Sequence, residues 1–167
     1  MENSSVNLHR LVKCLICFLL AELSPHPAIA ATVRFQSWTI DIPAGWNYAV
    51  EETQSGDDVF TERISISSEV GGGTFNIISY DSPIIIDEQA LRNFTNVDAS
   101  IPLELQEWGD FAGYYYSYSE SGSNFRQWWL SSGSTLLILV YESEVVESTK
   151  EIDGMVASLM DASNGDI

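Results

Sequence analysis

The chain has 167 residues, 45% of them hydrophobic, with seven basic against twenty-four acidic side chains and a formal net charge of −17. Such acidity argues against binding phosphate backbones or anionic lipid, which need positive surface to displace counterions, and the apolar content argues against a disordered acidic segment. The only histidines and cysteines, His9, Cys14, Cys17 and His26, fall in the first thirty residues.

Those thirty residues read as a secretory signal. A weakly basic start with Arg10 and Lys13 precedes an apolar run over 14–21, and a polar stretch then ends in Ala28-Ile29-Ala30, a small-x-small site for cleavage after Ala30. The run is far shorter than the ~18 apolar residues that span a bilayer, so no stable membrane anchor is expected after cleavage. Cys14 follows Lys13 and Cys17 follows Ile16, which is not the small-residue context of a lipidated cysteine. Within the leader Arg10 and Lys13 cancel Glu2 and Glu22, so residues 31–167 keep five basic and twenty-two acidic residues and the whole charge of −17. They are expected to form one exported, periplasmic domain, held by packing without disulfides.

From the new N-terminus, Trp38-Thr39-Ile40-Asp41-Ile42 alternates as a half-buried strand does, and Pro43-Ala44-Gly45 breaks it. A second strand begins at Trp46. Phe60, Glu62, Ile64 and Ile66 share one face of a third, and Gly71-Gly72-Gly73 turns the chain into Thr74–Tyr80, which together predict a meander of antiparallel hairpins. Asp87 is placed to cap a short helix carrying Ala90, Leu91 and Phe94 on one side. After Pro102 come strands over 103–108, 111–119, 124–131 and 135–141, joined by glycine-bearing turns of hairpin length. Residues 136–140 are apolar on both faces, as suits a central strand covered on both sides. A final helix, capped by Ser143, would present Val145, Thr149, Ile152, Val156 and Met160 as one stripe. The predicted class is α+β: an antiparallel sheet of about six to eight strands with a short middle helix and a C-terminal helix packed on it.

Beyond residue 30 the chain has neither histidine nor cysteine, which removes a Ser-His-Asp triad, a thiol nucleophile and an ordinary zinc site, so an enzyme is not expected and no cofactor or metal is called for. The acidic pair Asp57-Asp58 follows Ser55-Gly56 in a turn that offers oxygen donors but no EF-hand pattern. Aromatics form the better candidate surface. Tyr114, Tyr116 and Tyr118 project to one side of their strand and Tyr115 to the other, while Phe125 and Trp129 oppose Trp128 in the next. One face must be core; a second face left uncovered would supply the aromatic anchors of a binding surface. Arg126 beside them is suited to an ion pair, with a partner or with a native carboxylate. The candidate partner-binding residues are therefore Asp57, Asp58, Tyr115, Glu120, Arg126 and Trp128.

The opening Trp38-Thr39-Ile40-Asp41-Ile42-Pro43-Ala44-Gly45-Trp46 resembles the strand and Pro-x-Gly-Trp turn of the PsbP-like superfamily. Its members include photosystem II extrinsic subunits, a Ran-binding nuclear protein and many bacterial envelope proteins. The ending is similar too, with a Gly113-bearing strand, the Arg126-Gln127-Trp128-Trp129 strand, a hydrophobic strand and a helix closing in Val156-Ala157-Ser158-Leu159. The layout Gly113-x-x-Tyr116 through Gly122-Ser123-x-Phe125-Arg126-x-Trp128 looks most like periplasmic immunity proteins of type VI secretion systems, which neutralise peptidoglycan-degrading effectors. The chain departs from the lipoprotein signal common among envelope members. The resemblance implies a non-catalytic domain that binds a protein, and the acidity suits a basic one. Two other roles fit the same residues: an accessory of an envelope or photosynthetic complex, and a carrier of an apolar ligand.

Overall fold

The computed structural model describes the backbone of residues 29–55, 59–69, 72–81, 83–144 and 150–162, and the side chains of all of these except 29–30, 52–55 and 59–61. Its elements are β1 (Ile29–Arg34), β2 (Trp38–Pro43), β3 (Trp46–Ser55), β4 (Val59–Ser68), β5 (Thr74–Asp81), α1 (Glu88–Thr95), β6 (Glu104–Trp108), β7 (Phe111–Glu120), β8 (Ser123–Ser131), β9 (Thr135–Ser143), α2 (Lys150–Ala157) and β10 (Met160–Asp161). The class is α+β. Seven strands form one antiparallel sheet in the order β3-β4-β5-β9-β8-β7-β6, and β1, β2 and β10 form a second, smaller one.

The second sheet corrects the predicted single meander. Alternation identified Trp38, Ile40 and Ile42 as buried, which they are, but burial does not say in which sheet a strand lies. Gly45, at φ +85°, supplies the left-handed turn after Pro43, and the chain re-enters at β3 in the other sheet. The main core holds Trp38, Ile40 and Ile42 together with Ile64 and Ile66 of β4, Phe75 and Ile77 of β5, Trp128 and Leu130 of β8, and Leu137 and Leu139 of β9. Strand β9 sits at the middle of the seven, as its two apolar faces require: Leu137 and Leu139 enter this core while Ile138 faces a second cluster on the opposite side.

Helix α2 closes the main core against β2 through Ile152, Met155 and Val156. It differs from the predicted helix at both ends. Ser143 is the buried last residue of β9, and its hydroxyl donates to the Gly72 carbonyl at 2.5 Å instead of capping a helix. Met160 lies past the helix in β10, exposed and paired with Thr39, and Leu159 takes the buried position that the stripe assigned to Met160. Val145 and Thr149 lie outside the described residues. In the β6–β7 turn Gly109, at φ +60°, packs so closely on the Leu159 carbonyl that a Cβ there would collide with it.

Candidate functional site

The second face of the large sheet is crossed by residues 83–103, a strap built around α1. Asp87 caps the helix as the sequence predicts, its carboxylate accepting from the Ala90 amide at 2.7 Å, and Asn96 ends it in the left-handed conformation at φ +54°. Glu88 and Arg92, one turn apart, pair at 2.9 Å. Arg92 also donates to the carbonyls of Asp98 and Ile101 at 3.2–3.3 Å, which fixes the loop after the helix. Only Leu91 of α1 is buried, against Tyr116 of β7 and Trp129 of β8. Ile86, Val97, Ile101 and Leu103 of the strap pack partly buried around the same cluster, and the sheet remains partly open on both sides.

On one side lies an apolar groove of about 380 Å³ lined by Ile84, Ile85, Phe94, Trp129, Leu136 and Ile138 among others. Ile85 is 89% exposed and Phe94 76%, although Phe94 meets Trp129 edge-on with ring centroids 5.5 Å apart. Large apolar groups held at the surface in this way are costly to solvate. On the other side is a polar cleft of about 610 Å³, lined by Asn96, Asp98, Tyr118, Glu120 and Gln127 among others. There the Tyr116 hydroxyl donates to Gln127 Oε1 at 2.6 Å, and Gln127 Nε2 donates to the Tyr118 hydroxyl at 3.0 Å. Burial pushes the Tyr116 phenol above its ordinary range. Hydrogen bonds from Ser100, side chain and backbone, hold the Asp98 carboxyl below its own, so the cleft keeps a negative charge.

The six residues singled out in the sequence separate. Tyr115, Arg126 and Trp128 come together on the core side of the sheet, not on the strap side. Trp128 has no exposed surface, and the Arg126 guanidinium lies over its ring at 4.7 Å and over that of Tyr115 at 5.2 Å. Arg126 Nη2 donates to Asp153 Oδ1 of α2 at 2.6 Å and Nε to the Tyr115 hydroxyl at 3.2 Å. Of the two alternatives for this arginine the structure shows the native carboxylate, and the cluster joins α2 to the sheet. Glu120 is exposed beside the polar cleft. Asp57 and Asp58 lie outside the described residues. Ile84 and Ile85 were not singled out, yet Ile84-Ile85-Ile86 just before the Asp87 cap is a visible signal: three branched apolar residues in a row, with no alternation and no strand to receive them.

Among the described residues, no group of three His, Cys, Asp or Glu side chains is placed to hold a metal ion, and no helix is long and apolar enough to cross a membrane. No family model matches the chain, nor does any curated protein. One similar solved structure is a crystal structure from Bacteroides thetaiotaomicron VPI-5482, with a TM-score of 0.54 and 19% identity over 77% of this chain and 46% of that one. That likeness shows the fold alone. The chain spans less than half the length of this neighbour.

Proposed function

We propose that this chain is an exported, non-catalytic domain of PsbP-like type that binds a basic protein on its strap face. Immunity toward a peptidoglycan-degrading effector of a type VI secretion system is the leading specific role. The observation that carries the reading is the exposed Ile85 and Phe94 beside an apolar groove, on a chain otherwise strongly acidic. Apolar anchors surrounded by charge are the usual anatomy of a protein interface, with the charge adding rate and selectivity. Cleavage after Ala30 is compatible with the fold, because the β1–β2 register shifts between Ile29 and Ala31, and the pairs from Ala31↔Ile42 to Arg34↔Thr39 lie beyond the cut.

The test is capture from the native organism by the exported protein, followed by salt elution. Recovery of one basic cell-wall hydrolase, inhibited on mixing, supports immunity; recovery of envelope or photosynthetic subunits assigns the accessory role. Peptidoglycan hydrolysis by the purified protein itself would overturn the non-catalytic reading. A second reading, an apolar-ligand carrier, is favoured by the groove lining. It predicts lipid copurifying with the protein, held against Trp129, although Ile85 and Phe94 would leave such a ligand half in water.

A further inference from the structure

The large sheet ends differently at its two edges. Strand β6 has five residues, whereas β3 has ten, each paired with β4 from Trp46↔Ser68 to Ser55↔Val59. Strand β3 is the edge of the sheet, and no strand among the described residues pairs with its outward amides and carbonyls.

The core also runs out onto this edge. One row of the core-facing side passes through Val50, Ile64, Ile77, Leu139 and Trp128, and the next through Tyr48, Ile66 and Phe75. The interior members of both rows have no exposed surface, but Tyr48 is 47% exposed and Val50 42%. The cover stops just before them, where Trp46 Nε1 donates to Glu151 Oε2 of α2 at 2.9 Å. On the opposite face of β3 the exposed Glu51 stands across from Arg63 on β4 and has no neighbour on its outer side among the described residues.

We infer that β3 is a docking edge for an extended segment of a partner protein that alternates apolar and basic residues. Added antiparallel or parallel to β3, such a segment extends the backbone ladder. Its apolar residues cover Tyr48 and Val50 while its basic residues lie beside Glu51, because successive side chains of a strand point to opposite faces. A second copy of this chain suits the edge poorly, since each copy carries a net charge of −17. This edge is separate from the strap face, and the inference does not rest on the function proposed there.

The experiment adds a short capped peptide of alternating valine and lysine to the exported protein and follows amide hydrogen exchange over residues 47–51. The expected result is at least tenfold slowing of the outward β3 amides, weaker binding at higher salt, and at least tenfold weaker binding by a valine-glutamate peptide. Glu51→Lys should weaken the lysine peptide about threefold, the scale of one exposed ion pair. Three results would overturn the inference. An N-methylated peptide cannot extend the ladder: if it binds as well, strand addition is wrong. Protection confined to the strap, or β3 protection that rises with protein concentration alone, would assign the peptide to another face or the edge to a second copy.

Discussion

The two faces of the seven-stranded sheet are built to different standards of closure. Over the core-facing side lie the small sheet and α2, and the enclosed residues Trp38, Trp128, Phe75 and Ile77 have no exposed surface. The other side is crossed by one strap whose helix buries a single leucine, and its lip carries Phe94 and Ile85 in water. A fold needs one well-closed core for stability. On the strap side closure stops short, and Ile84, Ile85 and Phe94 stay exposed there.

Substitutions on the two faces should differ in cost. The largest effect is expected at Trp128→Ala, about 3–5 kcal/mol lost in denaturant unfolding, as for other fully enclosed aromatics. Phe94→Ser on the open face should cost under about 1 kcal/mol, and equal costs at the two sites would erase the distinction between the faces. Leu91→Ala should cost about 2 kcal/mol and speed hydrogen exchange in α1 ahead of β9, since that leucine is the buried residue of the helix. Asp153→Asn should cost about 1 kcal/mol: Arg126 is largely enclosed but Asp153 is more than a third exposed, and solvent screens the pair.

The smallest effects concern pH. Tyr116 holds its proton more tightly folded than unfolded, so its contribution is present below the ordinary phenol value of about 10 and is lost as pH rises beyond it. Tyr116→Phe should remove that part of the alkaline slope. Asp98 has the opposite sign, its contribution present above the ordinary carboxylate range and lost as pH falls through its lowered folded value. Asp98→Asn should flatten the acid limb of the unfolding curve accordingly.

Local chemistry in the sequence was enough to place many elements. The Asp87 cap, the breaks at Pro43 and the glycine turns, and the doubly apolar β9 all depend on residues adjacent in the chain. What the sequence did not reveal depends on long-range pairing. Trp38–Pro43 looks alike whether it pairs with β3 or with β1 and β10, and Met160 continues the helical spacing although the chain has already left the helix. For the site the same limit applies: opposed parities at Tyr115 and Tyr116 were legible, but which parity faces α2 was not. Arg126 met Asp153 only through a contact twenty-seven residues apart.

Docking on the proposed strap face is tested by the affinity of whichever protein the capture recovers for the wild-type chain and for an Ile85→Ser, Phe94→Ser double variant, with the unfolding of both proteins measured alongside. Docking on the strap face should show at least a thirtyfold loss of affinity in the double variant, with stability changed by no more than about 1 kcal/mol, since interface anchors dominate binding and exposed side chains contribute little to folding. Unchanged affinity in a folded double variant would contradict it.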